Sequence, residues 1–329
     1  MTGASTRSIV VVGSPTALGG HFSGMERSPR ELRRLGLLDR IRTRPGLAAA
    51  VLRDAGDVPN DPGWAADDDP RAKNRAMICA FLPRLADFVA ATIEPKRGDQ
   101  LLVIGGDCTS HTAAMAGLRR VYAGARIAVA WFDAHGDFNT PDTTPSGNVW
   151  GMPFALICGR GEPDLVAAAG GPTALEEDAA LLGGQVLDET ESRMLAASGV
   201  AHFGAGMLSG DAGRAALAAW AAAVAGRVDG FYVAFDLDAL DAAGGWAVAM
   251  PEPGGLSLAT AVGAVAILAS AAATTRLGLI GFGATAAMLG HGRDDEATVE
   301  AIATLAGAAL GRPNPAIRAS GAPWPGSRA

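Results

Sequence analysis

The chain of 329 residues carries 34 acidic against 27 basic side chains, a formal charge of −7, and is 49% hydrophobic. A net negative charge without a basic run excludes nucleic acid and anionic membrane surfaces as expected partners, and the apolar content excludes general disorder. The cysteines Cys79, Cys108 and Cys158 form neither a disulfide framework nor a Cys-x-x-Cys metal motif, so a reducing, cytoplasmic setting is expected.

Ser8 to Val12 is apolar and β-branched and precedes Gly13, Pro15 and Gly19-Gly20, the pattern of a strand that ends in a loop. The short apolar run and single basic residue before Gly13 do not make a secretory leader. Ser28-Pro29-Arg30-Glu31 supplies an N-cap, a proline at the first helical position and an acid in the first turn, which predicts a helix to Ile41. Asp54 to Asp69, acidic and rich in Pro and Gly, is expected to be a surface loop. Asn74 to Glu94 has a helical pattern that Pro83 should kink or split. A strand at Leu101 to Ile104 leads through Gly105-Gly106-Asp107-Cys108 into a helix that Thr109 or Ser110 caps and that runs to Tyr122.

Ile127 to Phe132 is the next buried strand, and the acidic stretch from Gly159 to Arg193 offers a short one near Gln185 to Leu187. Strands are further expected at Val200 to Phe203, Phe231 to Phe235 and Leu277 to Phe282, with helices at Ala212 to Ala225, Ser257 to Ala273 and Glu296 to Leu310. The uncharged run from Pro253 to Thr275 approaches membrane-spanning length, but its side chains are mostly small, so a buried helix is expected. Short strands alternating with helices predict an α/β fold with a parallel sheet covered on both faces, whose sites gather at the carboxyl ends of strands. Residues 1–310 are expected to form one domain, and 311–329 a Pro-, Gly- and Ser-rich tail.

The stretch Trp131 to Pro153 organises the chain. Asp133, His135 and Asp137 leave one strand end, and alternate residues of an extended segment project to the same side. Asp236 and Asp238 repeat the arrangement after Phe231 to Phe235. One reading is that these acids cap turns, as aspartate commonly does after strands. The other is a divalent metal site: four carboxylates and an imidazole in one place need a cation, oxygen-rich ligation suits Mn²⁺, and bridging carboxylates make two ions plausible.

Several motifs in matching order resemble the ureohydrolases, the family of arginases, agmatinases and formiminoglutamases. Gly105-Gly106-Asp107-Cys108 is similar to the family's GGDH, Asp133-Ala134-His135-Gly136-Asp137 to its DAHxD, and Ser146-Gly147-Asn148-Val149-Trp150-Gly151 to its SGNxHG. Ala234-Phe235-Asp236-Leu237-Asp238 resembles SxDxD, and Pro251-Glu252-Pro253-Gly254-Gly255-Leu256 resembles TPExGGL. The resemblance implies a three-layer α/β/α fold with a mainly parallel central sheet, two Mn²⁺ ions, and hydrolysis of a guanidino or amidino carbon in a small-molecule substrate. It also implies a homo-oligomer, trimeric or hexameric.

Carried over by position, Asp133 and Asp236 would bridge two metals, His135 and Asp238 would complete one site, and Asp137 would serve the other and relay a proton. Asn139 and Ser146 lie where arginases hold the α-carboxylate, and Glu252 is expected either to bind a cationic substrate group or to sit on an exposed turn. Cys108 stands where the family has a ligating histidine; it is either a softer ligand, suited to zinc or iron, or a small core residue. His111 is a candidate substitute. Trp150 stands where many members place a proton-shuttling histidine, Gly283-Ala284 where arginases carry a guanidinium-binding acid, and Gly204 to Ala212 offers only Asp211 for an amino group. His21, His202 and His291 are expected in loops or core. These departures predict a hydrolase acting on a guanidino, hydroxyguanidino or formimino compound other than plain arginine. The alternative is a catalytically impaired homologue that binds or scaffolds.

Overall fold

A computed structural model describes residues 7–60 and 69–312 of the chain. Its strands are β1 (Ser8–Gly13), β2 (Val51–Asp57), β3 (Gln100–Ile104), β4 (Ile127–Asp133), β5 (Ala179–Gly183), β6 (Ala201–Phe203), β7 (Gly230–Asp236) and β8 (Gly278–Thr285). Its helices are α1 (Ser28–Arg34), α2 (Leu37–Arg42), α3 (Arg75–Thr92), α4 (Thr109–Val121), α5 (Pro153–Ile157) and α6 (Pro163–Ala168), followed by α7 (Glu189–Ala196), α8 (Ala205–Leu208), α9 (Asp211–Ala225), α10 (Leu258–Ala272) and α11 (Asp295–Leu310).

The strands form one eight-stranded sheet in the order β2-β1-β3-β8-β7-β4-β5-β6. Every neighbouring pair is parallel, as the alternation of short strands and helices predicts. Alternate side chains serve opposite layers. Val129 and Trp131 of β4 pack with α3 to α7, whereas Ala128, Ala130 and Phe132 pack with α1, α2 and α9 to α11. The uncharged run forms α10, packed between α9 and α11, and no helix among the described residues is long and apolar enough to cross a membrane.

Four local expectations are corrected. The helix expected to Ile41 breaks in two at Gly36, which adopts φ 78°, a left-handed conformation that glycine takes at little cost. Of the kink or split expected at Pro83, the split does not occur, since proline removes a single backbone hydrogen bond from an 18-residue helix held by six buried side chains. Asp54 to Asp57 belong not to a loop but to β2, an edge strand without alternating burial, where Arg33 pairs with both acids. The strand expected at Gln185 to Leu187 lies earlier, at β5. Of the expected 54–69 loop, residues 61–68 lie outside the described residues, as does the tail from 313 on.

Parallel pairing brings all carboxyl ends to one edge. Phe132 of β4 is level with Phe235 of β7, so the residues that follow, Asp133 and Asp236, emerge side by side.

Candidate metal centre

Asp133, Asp236 and Asp238 are each held by donors from their neighbours. Asp133 accepts the indole N–H of Trp131 on Oδ2 at 3.0 Å and the backbone N–H of His135 on Oδ1 at 2.7 Å. Asp236 Oδ1 accepts the N–H of Asp238 at 2.8 Å, closing the short turn after β7. Asp238 Oδ1 in turn accepts the N–H of Ala134 at 3.0 Å, which fastens the two strand ends together. The remaining acceptors converge. His135 Nδ1 lies 3.3 Å from Asp133 Oδ1 and 3.2 Å from Asp238 Oδ2, while the Cys108 thiol donates to Asp236 Oδ2 at 2.6 Å.

Donor atoms of Cys108, Asp133 and Asp236 all lie within 4.8 Å of one another, and those of Asp133, His135 and Asp238 do the same. Asp133 belongs to both groups, so the arrangement could hold two cations that share it. Asp137 completes the cluster from a strained turn at φ 49°, a conformation few residues other than glycine adopt. Its Oδ2 is buried without a partner, and so is His135 Nε2, 3.8 Å from Glu252 Oε1. Orphaned polar atoms of this kind in a pocket of acids are what a cation would satisfy once their protons are displaced, so the residues fit a divalent ion.

The electrostatics agree. Burial pushes Asp133 up to about 6 and lifts Asp137 and Asp236 well above the carboxylate range. Burial and the neighbouring carboxylates raise the Cys108 thiol as well. Burial opposes a charge on His135, but hydrogen bonds to Asp133 and Asp238 outweigh it and hold the imidazole at about 12. Without a cation the cluster therefore retains protons; a bound cation displaces them.

Above the cluster opens a cavity of about 290 Å³. Cys108, Asp133, His135, Asp137, Asp236 and Asp238 line its depth, and Asn139, Ser146, Trp150 and Glu252 line it as well, so every expected site residue is brought to one place. Asp211 is not among them: it is fully exposed at the start of α9 and pairs with Arg214. His111 is no substitute ligand either. It sits in the core with both ring nitrogens taken, 3.0 Å from the hydroxyls of Tyr232 and Thr285, and burial pulls it down to about 3.

Three titratable cavity residues escaped the sequence reading. Asp188 is the N-cap of α7 but makes no cap bond; instead it accepts from Asn139 Nδ2 at 3.1 Å. Glu191 accepts from Phe138 N at 2.8 Å, and burial raises it to about 7. The Asp-x-x-Glu spacing at Asp188 and Glu191 was the available signal, a helix start with acids in its first turn. His21, expected to be a bystander, reaches the cavity wall from the loop after β1.

The Arginase family model matches residues 7–282. The chain is 30% identical to the arginase of Bacillus caldovelox over 266 residues, covering 80% of this chain and 86% of that protein. The chain belongs to the arginase family. It is also 31% identical to the Bacillus subtilis arginase over 252 residues, 76% of this chain and 82% of the relative. The crystal structure of the B. caldovelox arginase superposes with a TM-score of 0.80 at 28% identity, covering 93% of this chain and 98% of that one. Asp133, His135, Asp137, Asp236 and Asp238 lie at the strand ends of this fold, and Cys108 and Trp150 line the same cavity.

Proposed function

We propose that this arginase-family chain is a manganese-dependent hydrolase that cleaves a C–N bond of a guanidino, hydroxyguanidino or formimino compound other than plain arginine. The observation that carries the reading is the pair of donor groups sharing Asp133 beneath a cavity, with Asp137 Oδ2 buried and unpaired beside them. Asp133, His135, Asp137, Asp236 and Asp238 would hold the ions, with Cys108 as a softer donor on one side. Bound divalent ions supply Lewis acidity and make water acidic enough to react near neutral pH.

The chain's own groups account for the remaining steps. Asp137 Oδ2 takes a proton as water adds to the trigonal carbon, and returns it to the nitrogen that departs as the C–N bond breaks. Asn139 and Ser146 orient an oxygen-bearing end of the substrate, while Asp188, Glu191 and Glu252 face a cationic one. Plain arginine is disfavoured because Gly283 and Ala284, which stand where arginases carry a guanidinium-binding acid, cannot pair with a guanidinium, and neither lines the cavity. We further read the protein as a cytoplasmic homo-oligomer, trimeric or hexameric, built on one domain spanning 1–310.

The test is elemental analysis of the purified chain followed by turnover on a panel of guanidino, hydroxyguanidino and formimino compounds, with Asp133→Ala as control. Two ions per chain and turnover that Asp133→Ala abolishes support the reading. An Asp133→Ala chain that works at full rate sinks it. Tight metal with no turnover across the panel favours the binding or scaffold role that Cys108 and Trp150 suggest.

A further inference from the structure

We infer that a second cavity, at the opposite edge of the sheet from the candidate metal centre, binds a small monocarboxylate with a hydrocarbon body, held by Arg119 and Thr173. None of its residues belongs to the acidic cluster or to the cavity above it.

This cavity has a volume of about 250 Å³ and is lined by Arg119, Arg126 and Thr173 and by the apolar side chains of Ile127, Pro172 and Leu175. Ile127 opens β4, the strand that ends at Asp133, so the two cavities lie about 20 Å apart along that strand. The walls are fixed by backbone contacts. Thr173 N and Ala174 N both donate to Ile157 O, at 2.9 and 3.2 Å. Ala125 N donates to Tyr122 O at 2.9 Å across a turn in which Gly124 takes φ 78°.

The charges around the cavity do not cancel. Buried Asp178 pairs with both Arg126 and Arg227, and Glu177 also pairs with Arg126, so two carboxylates offset two guanidinium groups. Arg119 is left over. Its Nη1 donates to Ala125 O, which pins the side chain against the turn, while Nε and Nη2 have no partner among the described residues. Those two atoms form the edge through which Arg33 grips Asp54, with both contacts at 2.8 Å. A guanidinium held with this edge free is preorganised for a carboxylate.

Thr173 supplies a further donor. It is buried, and its Oγ1 lacks a partner among the described residues. An unmet hydroxyl is unfavourable, and turning about χ1 toward the cavity that the residue lines gives it an acceptor. One uncompensated cation and one hydroxyl suit a monoanion. Leu175, 48% exposed, lies with Pro172 and Ile127 where a hydrocarbon body would cover it. A dianion such as phosphate would set its second charge against these apolar groups without a partner.

Methyl NMR of the full chain, labelled at Ile, Leu, Val and Thr, reads the site directly. Titration with isovalerate is expected to give saturable shifts at Ile127, Thr173 and Leu175. The neutral isostere isovaleramide and inorganic phosphate are each expected to bind at least about tenfold more weakly. Arg119→Gln should weaken isovalerate roughly tenfold. Thr173→Val, nearly isosteric, should weaken it several-fold and raise the melting temperature of the free chain, since the unmet hydroxyl is gone. Arg120→Gln removes a neighbouring guanidinium that pairs with Asp87 outside the cavity, and should keep wild-type affinity. No saturable shift, or shifts only at Val186 in the other cavity, would overturn the proposal. So would equal binding of isovaleramide or phosphate, equal loss in Arg119→Gln and Arg120→Gln, or full affinity in Thr173→Val. Metal content and turnover, which decide the hydrolytic reading, enter none of these comparisons.

Discussion

Cys108 and Asp236, 128 residues apart in sequence, meet as a thiol donating to a carboxylate at 2.6 Å beneath the cavity. The thiol occupies a place where an imidazole would be a borderline ligand better matched to manganese. Cys108→His is therefore expected to raise the Mn²⁺ bound per chain, whereas wild type should favour Zn²⁺ or Co²⁺ at that position. Metal analysis after dialysis against equal concentrations of the three ions checks the order, and identical metal profiles for the two chains would remove Cys108 from the ligand set.

Trp131 holds Asp133 without touching the cavity. Trp131→Phe keeps the ring but removes the indole donor from a buried carboxylate oxygen. A loss of about 1–3 kcal/mol in urea unfolding is expected for the metal-free chain. Metal affinity should also fall, by roughly 10- to 100-fold, as for other groups that orient a ligand. A titration that leaves affinity unchanged would show that Asp133 is held by His135 alone.

The metal-free chain should lose stability as pH rises. Burial holds Glu191 near 7 and Asp133 near 6, above the ordinary values of 4.5 and 3.8. Between those limits the folded chain binds more protons than the unfolded one, so stability falls with pH across this window. His135, held at about 12 against 6.5, acts in the same direction: its contribution is complete below 6.5 and is lost as pH rises toward 12. Melting of chelator-treated protein from about pH 4 to about pH 8 should show this decline, and Glu191→Gln should flatten it. A melting temperature that rises over this range would contradict the buried protonated cluster.

Much of this was legible in the sequence. β1, β3, β4 and β7 are uninterrupted apolar runs, and the acids that follow β4 and β7 fall in turns, where apolar periodicity stops abruptly. β2 was not legible because its residues are half-exposed and include Arg53, Asp54 and Asp57, so no period of two survives. Asp188, Glu191 and His21 were missed for a different reason: their place in the cavity depends on how a loop returns over the sheet, and nothing within a few residues of them encodes that path. Gly283 was legible as a departure but not as a requirement.

That requirement is itself testable. A Cβ on Gly283 would lie 2.6 Å from the His111 ring and 2.7 Å from the Tyr232 hydroxyl, both fixed by their mutual hydrogen bond. Gly283→Ala is expected to cost about 1–3 kcal/mol by overpacking, seen as a lower melting temperature. A neutral substitution would mean that His111 can move without loss of its partners.

The donors of the candidate metal centre come from the ends of β3, β4 and β7, and β8 lies between β3 and β7 although it is the last strand in the chain. Cys108 cannot face Asp236 until that late strand has been inserted between segments made long before it. Loading of the centre is therefore a report that the sheet is finished, and a nascent or truncated chain that lacks β8 would carry the same ligating residues without a shared site. An ion-sensitive probe added during refolding would thus time the closing step of assembly.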